Sequence, residues 1–185
     1  MTDINERLDA REREGSHPNL RPRDAATLIL IDRSGETPKV LLGRRHQGHV
    51  FMPDKFVFPG GRVEPVDRRM EVATPLNPQV EARLMRKVQN PSPTRARGYA
   101  LAAIRETFEE AGLLLGVRRD APPKIPSTLW DGFAAASVHP DLGAMHFIAR
   151  AITPPRRARR FDTRFFAAEV DAIAHRGERR QAGRR

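Results

Sequence analysis

The segment IRETFEEAGL, residues 104–113, places three carboxylates, Glu106, Glu109 and Glu110, within five positions. The spacing i, i+3, i+4 sets all three on one face of an α-helix. Like charges so arranged repel by roughly a few tenths of a kcal/mol per pair, so water, a nearby arginine or a metal ion must offset them. Hard divalent cations take oxygen ligands of this kind. Mg²⁺ accepts a few carboxylates, keeps some waters and also binds substrate phosphates. A cation held there would bridge phosphate oxygens, neutralise their charge and activate a water for in-line attack. An ordinary solvated acidic face accounts for the same residues, and the octet alone does not decide between the two.

The elements around this segment must position it. AATLILI (25–31) is apolar and β-branched, as a buried strand requires, and RSGETP (33–38) is a turn. KVLLGRR (39–45) completes a predicted hairpin. Residues 46–55 have no period and are predicted as a loop; FVF (56–58) is a short strand running into Pro59, Gly60 and Gly61. Residues 68–98 are rich in proline and arginine. Within them PQVEARLMRKVQ repeats Val80, Leu84 and Val88, which predicts a small helix packed on the surface. The helix over about 99–111 has Leu101, Ile104, Phe108 and Ala111 on one side and the glutamates on the other. Gly112 is its C-terminal stop. LWDGFAAA (129–136) predicts another short helix. MHFIARAI (145–152) and RFDTRFFAAEV (160–170) predict strands joined by a Pro/Arg loop. The mixture points to an α/β or α+β domain. GxGxxG and GxxxxGK[ST] are both absent.

Composition narrows the function classes. There is no cysteine, which excludes disulfides, thiolate metal sites and thiol nucleophiles. No apolar run approaches the ~20 residues of a membrane span, and MTDINERLDAREREGSHP lacks an apolar signal core. The reading is a soluble, cytoplasmic protein without membrane contact. A net charge of +10 favours polyanionic partners, nucleotides or nucleic acid. Aromatic residues make up only 6% of the chain, which supplies no stacking platform and puts nucleic acid second. The domain is predicted over 23–172, between a polar leader (1–22) and a basic tail (173–185), with 68–98 as an insertion.

FPGGRVEPVD (58–67) and RETFEEAGL (105–113) together resemble the two halves of the Nudix box, G-x5-E-x7-R-E-U-x-E-E-x-G-U. Gly61 matches the first glycine; Arg105, Glu106, Glu109, Glu110, Gly112 and Leu113 match the second half. Asp67 stands in place of the first glutamate and Thr107 at an apolar position. Thirty-seven residues separate Asp67 from Arg105 where the family has seven. The coenzyme A diphosphatase-like subgroup carries an insertion at this point, and FMPDKFVFPGG (51–61) and ITPPRRARRFDTRFF (152–166) are similar to its sequences.

The resemblance implies a Nudix-type α/β/α sandwich around a mixed sheet and a Mg²⁺- or Mn²⁺-dependent pyrophosphohydrolase. Its substrate would be a small-molecule nucleoside diphosphate linked to another group, coenzyme A or acyl-CoA first, with ADP-ribose, NADH and nucleoside triphosphates open. It implies that Glu106, Glu109 and Glu110 bind the metal with the Gly60 carbonyl. Arg105 would orient a carboxylate, Gly61 would admit the diphosphate, and Asp67 and Gly112 would be structural. Arg44, Arg45, Arg160 and Arg164 are the candidate phosphate-binding cations. Relative to the family the chain looks truncated at its C-terminus, which would leave one sheet face open to a partner such as a second copy. The alternative is a catalytically impaired Nudix-like protein that binds nucleotide or RNA.

Overall fold

The computed structural model describes residues 17–44 and 55–177. Most of the predicted leader, the loop at 46–54 and the arginine-rich end from 178 lie outside these residues. Strand β1 (Arg23–Asp32) runs through the middle of the main sheet. It pairs in parallel with β10 (Phe161–Glu169), from Arg23 opposite Phe161 to Ile31 opposite Glu169. It pairs in antiparallel fashion with β2 (Lys39–Val40) and with β5 (Gly60–Arg62). Strand β9 (His146–Ile152) pairs antiparallel with β10 and completes a mixed sheet.

The predicted hairpin forms. Its turn is pinned by the Asp32 carboxylate, which accepts from the Ser34 amide at 2.9 Å and its hydroxyl at 2.6 Å. Its second strand is split: β2 stays on β1, while β3 (Gly43–Arg44) pairs with β4 (Phe56–Val57).

Three helices follow: α1 (Pro78–Leu84), α2 (Pro93–Ala111) and α3 (Asp131–Ala135). Asn77 caps α1 through the Gln79 amide at 2.9 Å. The helix stops at Leu84, short of the predicted Val88, because the chain turns into left-handed backbone at Lys87 and Asn90. The insertion is more than a surface appendage, since Met70, Leu76 and Leu84 are buried in the main core.

Helix α2 starts six residues earlier than predicted. Ser92 caps it through the Arg95 amide at 3.2 Å, and Pro93 takes the first turn, where a missing N–H costs nothing. It is also enclosed nearly all round: Ala100, Leu101, Ala102, Ala103 and Ile104 are all fully buried. The small residues at 100, 102 and 103 let this side of the helix approach its neighbours.

Helix α2 packs on the sheet face formed by Ala26, Leu28, Leu30 and Phe166. On the same face Arg83 of α1 lies over the Phe147 ring of β9, which meets Phe166. The opposite face presents Thr27, Ile29, Ile31 and Phe165, all partly exposed.

Short strands tie the C-terminal end of α2 to the rest. Strand β6 (Leu113–Leu115), directly after α2, pairs with β11 (Ile173–Arg176), and β7 (Val117–Arg118) pairs with β8 (Val138–His139). Residues 173–176, assigned from sequence to the basic tail, therefore belong to the folded domain. Among the described residues no helix is long and apolar enough to cross a membrane.

Candidate active site

Strand β5 lies against the acidic face of α2. A Cβ on Gly61 would sit 2.5 Å from both carboxylate oxygens of Glu106, so no larger residue fits without moving that side chain. Gly60 is as tightly held: a Cβ there would stand 2.7 Å from the Ala26 carbonyl oxygen. Its amide donates to Glu110 Oε2 at 3.3 Å. The double glycine serves close approach between β1 and the acidic helix rather than a left-handed turn.

Arg105 organises the carboxylates. It is buried, and all five of its N–H donors have acceptors. Nε donates to Asp67 Oδ1 at 2.8 Å; Nη2 donates to Asp67 Oδ2 at 3.2 Å and to the Arg62 carbonyl at 2.8 Å. Nη1 donates to Glu106 Oε1 at 2.7 Å and to Glu109 Oε1 at 3.2 Å. Asp67 is fully buried on a 3₁₀ turn, Asp67–Arg69, and Oδ2 also accepts from the Glu64 amide at 2.8 Å. The arginine–aspartate pair is the bidentate geometry a guanidinium favours.

The electrostatics follow. Burial raises the pKa of Glu106 above the usual carboxylate range, and Arg105 offsets only part of this. Burial disfavours the Arg105 charge, but the Asp67 hydrogen bond and the charges of Glu106, Asp67 and Glu109 outweigh it and hold the group protonated. One guanidinium thus faces three carboxylates, with Glu110 beside them. Exposure rises along the helix, from 15% for the Glu106 side chain to 23% for Glu109, and Glu110 is exposed.

Among the described residues no three acidic or imidazole side chains already converge as a closed metal cage. The donor chemistry still fits a hard divalent cation: oxygen ligands, surplus negative charge and the two glycines of β5 beside them.

Other residues singled out in the sequence have different places. Arg164 is fully buried, pairs with Asp162 at 2.6 Å and stacks on Tyr99 at 4.2 Å from the ring centroid. It belongs to the core and does not face a phosphate from solvent. The reason is register: Arg164 alternates with Phe166 on the inward face of β10. Arg160 donates to the Thr153 carbonyl at 3.1 Å, to Asn19 Oδ1 at 2.8 Å and to the Leu20 carbonyl at 2.5 Å, so it holds the segment before β1. Arg44 lies in β3, but its side chain, like all of Arg45, is outside the described residues.

Gly112 ends α2 at φ +72°, with its amide on the Phe108 carbonyl at 2.8 Å. Buried Thr107 satisfies its hydroxyl on the Ala103 carbonyl at 2.8 Å, which explains how a polar residue is tolerated at an apolar position. The sequence reading missed the Arg62 carbonyl and Glu64 amide, which complete the Arg105–Asp67 network; backbone partners leave no trace in residue type.

No protein-family model matches the chain. It is 30% identical over 128 residues to an acyl-coenzyme A diphosphatase of Xenopus laevis, an alignment covering 58% of this chain and 33% of that protein. The chain thus spans about a third of the length of this curated relative. Its fold superposes on the crystal structure of a NUDIX hydrolase from Alicyclobacillus acidocaldarius with a TM-score of 0.60 at 29% identity, covering 85% of this chain and 73% of the other. The NUDIX domain of Shewanella oneidensis NrtR, complexed with ADP ribose, aligns at 13% identity with a TM-score of 0.43, too distant to bear on the argument. Sequence and structure point the same way: although 37 residues intervene between Asp67 and Arg105, the two meet in space, and in both sequence and fold this chain is similar to Nudix hydrolases.

Proposed function

We propose that the protein is a divalent-metal-dependent pyrophosphohydrolase that cleaves a nucleoside diphosphate linked to another group, with coenzyme A or an acyl-CoA as the first candidate. The observation that carries this is the surplus of carboxylate around Arg105, set against a strand whose glycines let its backbone come directly against the acidic face of α2. The substrate class draws on the acyl-coenzyme A diphosphatase among its relatives.

In this reading Glu106, Glu109 and Glu110, with the Gly60 carbonyl, hold Mg²⁺ or Mn²⁺. The bound cation supplies charge neutralisation at the diphosphate and a water of lowered pKa. Arg105 keeps two of the ligands in place: one nitrogen grips Glu106 and Glu109 together, while the other end of the fork is locked on Asp67. Gly60 and Gly61 offer backbone without side chains, so a diphosphate would approach over β5. The gradient of exposure makes Glu110 the ligand most open to substrate and Glu106 the deepest.

The test is product formation from coenzyme A and from ADP-ribose with Mg²⁺ or Mn²⁺, beside a Glu110→Gln control. Cleavage of coenzyme A by the wild type alone supports the full reading. Cleavage of ADP-ribose alone retains the chemistry and discards the substrate. Activity undiminished in excess EDTA would sink the metal role, and metal binding without cleavage of either compound would favour a binding protein.

A further inference from the structure

The insertion opens directly after Asp67 and closes inside the first turns of α2, so it stands between two residues that must touch. Its two ends are fastened to each other. From the closing end, Arg97 donates through Nη2 to the Met70 carbonyl at the opening end. From the opening end, the Arg68 side chain lies across Gly98, where a Cβ would stand 2.8 Å from Arg68 Cγ. Both attachments are sheltered: Met70 is fully buried, Gly98 is buried, and the Nε atoms of Arg68 and Arg97 are shielded from solvent. Gly98 precedes Arg105 by seven positions, so both lie on one stripe of α2, about 10 Å apart along a continuous helix. The 3₁₀ turn Asp67–Arg69 is therefore fixed twice to one rod, by Arg68 on Gly98 and by Asp67 on Arg105.

We infer that Arg97 and Gly98 form a latch with Arg68 and Met70 that closes the insertion at its base and holds Asp67 in register with Arg105. A loop of this length, free at its base, would let the turn drift, since closing it costs conformational entropy that grows with length. The latch pins the base, and the rest of the excursion is then free to vary without disturbing the site. Arg97 and Gly98 are positioning residues; neither is placed to touch substrate. The inference rests on reading Arg105 as the organiser of the acidic ligands.

The test follows the buried Arg105 Nε–H by ¹⁵N NMR, its signal assigned by loss in Arg105→Lys. In Arg97→Met and in Gly98→Ala its exchange with solvent should quicken at least about tenfold, while the backbone amide of Phe166 is little changed. Arg97→Lys, which keeps a donor, should recover part of the protection. Leu84→Ala, a core truncation in the middle of the insertion, should lower stability without selectively exposing Arg105. Unchanged exchange in both latch variants overturns the inference. So does acceleration shared equally by Arg105, Phe166 and the Leu84→Ala control, which marks global loosening. Mn²⁺ binding, read by water proton relaxation, separates the two readings. If the wild type and Glu110→Gln both fail to bind Mn²⁺, the metal function falls, while the exchange measurement still decides the latch.

Discussion

Two clusters of buried or half-buried charge lie along α2, and they are built to opposite balances. Near the C-terminal half, Arg105 is the one cation among the described residues that pairs with Asp67, Glu106 and Glu109. Near the N-terminal half, Arg95 grips Asp24 with two nitrogens, and Asp162 is gripped by both Arg150 and Arg164. That second group holds three arginines and two aspartates, is capped by Tyr99 and is nearly neutral. Burial pushes the Tyr99 hydroxyl up to about 12, so it stays uncharged there. A cluster that needs nothing more balances its charges; one left strongly negative has work for a cation. This difference, rather than the presence of acids, separates candidate chemistry from architecture in this molecule.

The comparison can be broken at either end. The largest effect expected is on catalysis: Glu110→Gln should lower hydrolysis by about three orders of magnitude, equivalent to several kcal/mol of lost transition-state stabilisation. Urea melts of that variant should barely differ from wild type, because the side chain is exposed. Asp162→Asn should do the reverse. Leaving the buried Arg164 without its anion costs about 3–5 kcal/mol, seen as a lower urea midpoint, while Mn²⁺ affinity is retained. Equal losses of Mn²⁺ affinity in both variants would erase the distinction.

Acid sharpens the same contrast. Burial tends to raise the Asp162 pKa, but the hydrogen bonds and charges of Arg150 and Arg164 outweigh it, and the net shift is downward. A carboxylate with a lowered folded pKa stabilises the protein above its unfolded value of about 3.9 and loses that contribution as pH falls through the folded value. Urea melts from about pH 5 down to about pH 3 should therefore show a loss of stability that Asp162→Asn has already suffered at neutral pH. The smallest effect expected is a gain. Glu106→Gln keeps an oxygen for Arg105 and removes one unit of surplus negative charge, so the metal-free protein should be stabilised by about 1 kcal/mol or less at neutral pH. A marked destabilisation there would mean that the site is balanced after all.

Much of this was visible in the chain because it is local. The acidic octet spans little more than two helical turns, so spacing alone puts its carboxylates on one face. Gly112 marks the end of the helix in the place where it occurs. The strands β1, β9 and β10 announce themselves by length and apolar content. Other signals were present and went unread: Ser92–Pro93 is a helix start, and α2 begins there rather than at 99. The short strands β6 and β11 offer too few residues for a period to show, and each is defined by a partner about sixty residues away. Arg164 looked like a surface cation because arginine is mostly exposed unless paired, and its partners are not legible from residue type. Its burial depends on Asp162, Arg150 and Tyr99 arriving from β10, β9 and α2.

The sequence by itself determined the kind of atoms available: oxygen ligands without sulfur, two adjacent glycines, an arginine one step before the first glutamate, and a long excursion between the halves of the motif. Tertiary structure decided which charges are matched and which are left over. It brought Asp67 onto Arg105, set Gly61 against Glu106 and turned Arg164 into the core. The physical reason is that a charge takes its meaning from what surrounds it after water is excluded, and those surroundings come from distant parts of the chain. Residue type fixes the sign of a group; only the fold fixes its partners.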